Sequence, residues 1–326
     1  MKFLMLSTTD PYRNLAIEEY LFTHADEEIM MLWQNAPSVI LGKSQSAYAE
    51  VDLDYAKERG IRIVRRITGG GAVYHDAGNL NYTYISPDTE GRTLDFAEFS
   101  KPIIQALASL GVNAVLTGRN DLEVNGKKIS GNAQYHRGGR TLHHGTLLFD
   151  ADLDVLSSVL RPDEEKIRSR AIRSVHARVC NLRELLPNVS SARELCEILK
   201  AFIDKTYAPT HILPPDNAEV DALATRNASS EWLYPKRELL SDYTAVRKHR
   251  YPFGTVEVHL WMTEDKIKDA HIFGDFFSTA PVGDLEHALR GARLDALEDV
   301  LRDTDVSACI FGMTHAELIR LLCTIE

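Results

Sequence analysis

Hydrophobic and polar positions change period several times along this chain of 326 residues. In NLAIEEYLFTHA, Leu15, Ile17, Tyr20, Leu21 and Phe22 recur at roughly helical spacing with Glu18 and Glu19 between them, which predicts an early amphipathic helix. EIMMLWQ and PSVILG predict strands ending at turn residues, and short β-rich runs recur at 62–67, 80–85 and 146–149. FSKPIIQALASLG predicts a helix among them. The elements follow no regular βαβ succession, so the pattern predicts an α+β fold with a mixed, mostly antiparallel sheet flanked by helices, not a dinucleotide-binding sheet. THILPPDNAEVDALATRN, with Pro214 and Pro215, predicts an exposed connection or surface excursion. The pattern then restarts. GTVEVHLWM alternates apolar and polar positions, IKDAHIF predicts a second strand, and helices are expected from about Asp284 and from Thr314, which forms a capping box with Glu317. A hairpin with two helices suffices for a small α+β unit, placed at residues 247–326 after a larger one at 1–246.

A hydrophobic fraction of 44% and a charged fraction of 26% belong to an ordinary globular protein, and the length favours two domains. A net charge of −10 argues against general nucleic-acid binding, which needs a basic surface, so any anion site must be local. The opening MKFLMLSTTDPYRN has too short an apolar run for a signal peptide or membrane span, which predicts a cytoplasmic protein with no membrane partner. Cys180, Cys196, Cys309 and Cys323 form no CxxC pair and read as buried or half-buried thiols.

Three segments carry candidate chemistry. In RRITGGGAVYHDAGNLNY, Arg65 and Arg66 precede three glycines whose N–H groups could face an anion. The run matches neither the Walker A pattern nor a G-x-G-x-x-G fingerprint, and by itself fits a tight turn as well as an anion site. EVNGKKISG reads as strand, Asn-Gly turn, strand, so Lys127 and Lys128 should point to opposite faces, one solvated and one facing the sheet interior or a cleft. In GGRTLHHGTLLF, His143 and His144 diverge as strand neighbours and lack a metal-ligand spacing; packed or hydrogen-bonded histidines are expected.

Together and in this order, these segments resemble the lipoate-protein ligase A family. RRITGGGAVYHDAGNLNY is similar to its lipoate-binding loop, GRNDLEVNGKKISGNAQY to its catalytic-lysine segment, and HHGTLLFDADL to the strand behind the site; SSEWLYP, GTVEVHL and HIFGDFF are similar to its C-terminal accessory domain. The resemblance implies a biotin/lipoate-ligase-like fold and a two-step reaction. ATP and lipoate give lipoyl-AMP and pyrophosphate, and the lipoyl group then passes to a lysine of lipoyl domains in the E2 subunits of 2-oxoacid dehydrogenases or of the glycine cleavage H protein.

It also implies roles for residues. Lys128 is the catalytic lysine reaching both carboxylate and α-phosphate; Arg66, Gly69, Gly70, Gly71, Ala72, Val73 and His144 bind lipoate; Thr68, Gly71, Tyr74, Asn79, Asn120, Asp121 and Lys128 bind the nucleotide. Asp121 is the candidate Mg²⁺ ligand, against the alternative of a turn-forming Asn-Asp pair. The basic run at 163–182, with Lys166, Arg168, Arg170, Arg173 and Arg178, corresponds to the adenylate-binding loop and suits an acidic acceptor or a phosphate. SVHARV stands where the family often has SVRSRV, and QSA where it has QNP. A transferase of the same fold would work through a cysteine thioester upstream of the glycine-lysine segment, where this chain has none. Residues 65–71 also lack the biotin-ligase loop pattern, and retention of Arg66, the glycines and Lys128 argues against a non-catalytic lipoate binder.

Overall fold

The structure is a computed structural model and describes residues 1–87, 94–118, 120–161, 178–234 and 243–324. Its first helix, α1 (Pro11–His24), starts where Asp10 accepts hydrogen bonds from the N–H groups of Tyr12 and Arg13, with Pro11 pre-set for the first turn. The helix lies beside the largest sheet, which contains β1 (Lys2–Met5), β2 (Ile29–Trp33), β6 (Asn79–Ser86), β7 (Val115–Thr117), β8 (Asp121–Val124), β9 (Lys127–Arg137), β10 (Arg140–Leu148) and β11 (Thr210–His211). The strand order is β11-β1-β2-β6-β10-β9-β8-β7. Only the β11-β1 and β1-β2 pairs are parallel, in line with the predicted mostly antiparallel sheet.

One face of this sheet packs on α3 (Phe96–Ser109) and α5 (Ala192–Tyr207), the other on α1 and α6 (Ala218–Asn227). A second sheet, ordered β4-β3-β5, holds β3 (Ser38–Leu41), β4 (Arg62–Arg65) and β5 (Val73–His75), and packs on α2 (Leu53–Glu58) and α4 (Leu153–Val159). The glycine run therefore connects two strands of one small sheet and passes in front of the large one.

The C-terminal sheet, β12-β13-β14, is formed by β12 (Ala245–Tyr251), β13 (Gly254–Thr263) and β14 (Lys266–Gly274). Its core takes in α7 (Val282–Leu289) and α8 (His315–Cys323), and the capping box predicted at Thr314 and Glu317 is present. Two sequence expectations need correction here. The expected hairpin has a third strand, β12, whose AVRKHRY lacks the apolar alternation of a half-buried strand because most of its side chains are exposed or half-exposed. The expected excursion at 210–227 instead adds β11 to the sheet edge and α6 to α1, where Arg226 pairs with Glu19.

The junction between the two parts is tight. Phe276 belongs to the C-terminal core, whereas its neighbour Phe277 is wholly buried against Phe96 and Ala133 of the N-terminal part. The N–H of Gly70 donates to the Phe276 carbonyl at 3.2 Å, and that of Gly274 to the Ser44 carbonyl at 2.9 Å.

Candidate functional site

Strand alternation places the lysines as expected: Lys127 is exposed, and Lys128 turns inward from β9. The turn before them has Asn125 at φ 53° and Gly126 at φ 75°, the backbone an Asn-Gly hairpin requires. The Lys128 ammonium lies 2.8 Å from Asp121 on β8. Gly131 makes room for it, since a Cβ there would stand 2.9 Å from Lys128 Nζ.

Two cavities meet at this lysine. The smaller, about 130 Å³, runs between the glycine loop and the large sheet and includes Leu15, Trp33, Ile40 and His75. The larger, about 410 Å³, is lined by Tyr74, Asp121, Glu123 and Arg178 among others. Ala72, Val73, Lys128, Gly131 and Thr146 border both. An elongated molecule in the smaller cavity and a polar one in the larger would thus have their ends at the Lys128 ammonium.

Arg66 also borders the smaller cavity, but four of its five N–H donors are directed to the protein. Nε donates to Thr68 Oγ1 at 2.8 Å, Nη1 to the Ile40 carbonyl at 3.0 Å, and Nη2 to the Gly69 and Gly71 carbonyls at 2.7 and 2.8 Å. Burial pulls its pKa down to about 10, opposed by the charge of Glu18, so it stays cationic at neutral pH. Arg65 likewise donates to the carbonyls of Gly42, Lys43, Gln45, Trp232 and Leu233. The two arginines shape the loop from behind.

Behind the loop stands a buried chain of polar groups. Glu18 accepts from Thr83 Oγ1 at 2.6 Å and contacts His144 Nδ1 at 3.0 Å; His144 Nε2 lies 2.9 Å from Thr68 Oγ1, which also holds Arg66. Glu18 is only 1% exposed, although its sequence context suggested a polar position. The signal was present in the spacing: Leu15, Glu18 and Phe22 fall at i, i+3 and i+7, on one helical stripe.

Of the residues singled out in the sequence, Arg66, Gly70, Gly71, Ala72, Val73, His144, Asn120 and Lys128 border the smaller cavity. Tyr74 and Asp121 border the larger, where burial raises the Tyr74 phenol to about 12. Asn120 therefore belongs to the smaller cavity's wall, its Nδ2 donating to the Asn132 carbonyl at 2.5 Å.

Three residues reach neither cavity. Thr68 is buried behind the loop. Asn79 is buried at the start of β6, bonded to Asn81. Gly69 faces the C-terminal segment, where a Cβ would come within 2.3 Å of the Phe276 carbonyl oxygen. At that position the glycine run is required by a neighbouring backbone, not by a ligand.

His143 is packed, as expected, against Tyr82, Phe96 and Phe99, with Gln134 on its Nδ1. Cys180 is buried, and burial and then Glu184 raise its pKa. Of the basic run, Arg178 borders the larger cavity; Lys166, Arg168, Arg170 and Arg173 lie outside the described residues. Sequence reasoning also missed His75 and Asn132 in the cavity wall.

Comparisons with known proteins point to one family. The family model of the lipoyl protein ligase A/B catalytic domain matches residues 10–203, and that of the bacterial lipoate protein ligase C-terminus matches 241–322. Lipoate-protein ligase LplJ of Bacillus subtilis is 38% identical over 323 residues, covering 96% of this chain and 97% of that one. The crystal structure of LipL1 from P. falciparum in complex with lipoate is 25% identical at a TM-score of 0.78, covering 94% of this chain and 95% of that one. A lipoate-protein ligase A bound with ATP is 29% identical at a TM-score of 0.59, covering 71% of this chain and 97% of that one. With catalytic-domain and C-terminal matches in one chain and an ammonium at the meeting point of two cavities, this protein belongs to the lipoyl protein ligase A/B family.

Proposed function

We propose that the protein joins lipoate to acceptor proteins by way of lipoyl-AMP, with the lipoyl chain in the smaller cavity and ATP in the larger. The observation that carries this reading is the position of Lys128, which borders both cavities. A carboxylate is a poor acyl donor until its oxygen is converted to a leaving group. In the first step a carboxylate oxygen attacks the α-phosphorus of ATP, an O–P bond forms, the bond from that phosphorus to the β-phosphate bridge breaks, and pyrophosphate leaves. Two anions must approach, so the Lys128 ammonium, released from Asp121 toward them, lowers the barrier by facing both.

In the second step the amine of an acceptor lysine attacks the acyl carbon, AMP leaves with its phosphate oxygen, and the amine loses a proton. The acceptors proposed are lipoyl domains of E2 subunits and the glycine cleavage H protein. Asp121 and Glu123, both on the wall of the larger cavity, carry the carboxylate oxygens that would hold Mg²⁺ beside phosphate. When bound, that ion would neutralise charge on the phosphate oxygens.

A thioester route has little support. Among the described residues no cysteine borders either cavity, and Cys180 is pushed away from thiolate formation by burial. The test is pyrophosphate release from ATP with lipoate, followed by mass spectrometry of an added lipoyl domain. Lipoate-dependent release and a gain of one lipoyl group are expected. Acyl transfer from an acylated carrier protein without ATP would overturn the reading.

A further inference from the structure

The smaller cavity contains an unexpected polar group. His75 is 3% exposed and borders the cavity, and its Nε2 has no hydrogen-bond partner among the described residues. Its place follows from the strand. Val73, two residues earlier on β5, borders both cavities, so His75 lies on the same face roughly 6–7 Å along the strand, at a position that borders the smaller cavity and not the larger. There the wall is Leu15, Trp33 and Ile40, with the Trp33 and His75 rings meeting edge to face at 6.2 Å.

A chain of buried amides determines which ring nitrogen carries the proton. Asn14 Nδ2 lies 3.2 Å from the Thr8 carbonyl and 2.8 Å from the Gln34 carbonyl, and only an NH₂ group can serve two carbonyls. Its two hydrogens are shared among three acceptors, the third being Asn35 2.9 Å away, and because an amide nitrogen cannot accept, the Asn35 atom facing it is Oδ1. Asn35 must then turn its own NH₂ toward His75 Nδ1, 3.1 Å away, which makes Nδ1 the acceptor. Burial keeps the ring neutral, with its pKa down at about 3, so the proton sits on Nε2. A cavity-lining ring thus carries a fixed N–H with no partner among the described residues, beside Leu15, Trp33 and Ile40. Asn81 adds a second: it borders the same cavity, accepts from Asn79 through Oδ1 at 2.9 Å, and leaves its Nδ2 unpartnered among the described residues.

Leaving a buried donor unmatched is unfavourable, and an acyl chain ending in methyl offers nothing to it. A cyclic disulfide does, because sulfur accepts a hydrogen bond, though weakly. Resting on the reading of the smaller cavity as the acyl site, we propose that His75 is the specificity-determining residue for the tail, its Nε2–H donating to a dithiolane sulfur so that lipoate is preferred over a plain fatty acid.

The test compares lipoate, octanoate and 5-cyclopentylpentanoate, a carbocycle of similar shape without sulfur. Dissociation constants are measured by calorimetry without ATP, and pyrophosphate release is measured in parallel. Wild type should bind lipoate about 5- to 10-fold more tightly than the carbocycle. His75→Leu should lose that ratio while still binding octanoate, and His75→Gln, which keeps an N–H, should restore part of it. Equal binding of lipoate and the carbocycle by wild type, with turnover intact, would overturn the assignment and leave the ligase reading standing. A preserved tail preference without pyrophosphate release would count against the ligase reading and uphold the role of His75. Equal wild-type binding overturns the assignment even if both variants misfold.

Discussion

Replacing Gly69 by alanine tests whether the glycine run answers to a ligand or to the C-terminal segment. An added Cβ would stand 2.3 Å from the Phe276 carbonyl oxygen and 3.0 Å from the Phe277 Cα, both backbone atoms that cannot swing aside. Reaching ordinary contact distance requires a displacement of roughly 1 Å. Inserting a methyl into such a packed seam costs about 1–3 kcal/mol. Breaking the 3.2 Å bond from Gly70 N–H to the Phe276 carbonyl would account for about 0.5–1.5 kcal/mol of a loss on that scale. Gly71→Ala is the control, because an added Cβ there meets no atom within 4 Å. Scanning calorimetry should show Gly69→Ala melting lower by about 1–2 °C for each kcal/mol lost, and Gly71→Ala melting with wild type. Since Gly71 borders the smaller cavity, its variant should instead weaken lipoate binding. A Gly69→Ala protein as stable as wild type, or a Gly71→Ala protein equally destabilised, would refute the reasoning.

Lys128→Ala should lower kcat/KM for pyrophosphate release by about 100- to 1,000-fold. Single-turnover kinetics would show whether the loss lies in adenylate formation, and an unchanged rate would remove Lys128 from the chemistry. Glu18→Ala leaves the Thr83 hydroxyl and His144 without their acceptor, and urea unfolding should show a loss of about 1–3 kcal/mol for each donor stranded. Glu18→Gln should recover part of it, and wild-type stability in the alanine variant would mean that the buried chain does not support the loop. Burial lowers the pKa of both His75 and His143 from 6.5 to about 3. The unfolded chain therefore takes up protons that the folded rings refuse. Their contribution is complete above pH 6.5 and falls toward pH 3, by up to about 1.4 kcal/mol per pH unit for each ring. Denaturant unfolding from pH 7 to 4 should give a slope about one proton shallower in His143→Phe, and an identical slope would contradict the sign.

Much of the site was legible because its motifs are local. The Asn-Gly turn and strand alternation give Lys128 its direction, and Asp121 opposes it from the preceding strand. The mostly antiparallel sheet was legible for the same reason, through apolar runs between turn residues. Contacts between distant segments were not. Nothing near Arg66 in the sequence says that its donors turn back to Ile40, Gly69 and Gly71. Gly69 meets Phe276 from more than 200 residues away, and β12 hides its register in a charged sequence. Glu18 and His75 fall between these cases. The helical stripe and the two-residue strand period place them inward, but their partners Thr83, His144 and Asn35 come from other elements.

The pair Phe276 and Phe277 acts as a rivet: one ring is set in the C-terminal core, the other in the N-terminal part, and the peptide between them lies against the glycine loop. Such a joint transmits load in both directions. If a ligand under the loop stabilises the riveted arrangement by some factor, the riveted arrangement must favour that ligand by the same factor. Substitutions far out in the C-terminal core that loosen the rivet should therefore register as altered acyl affinity in a cavity they never touch.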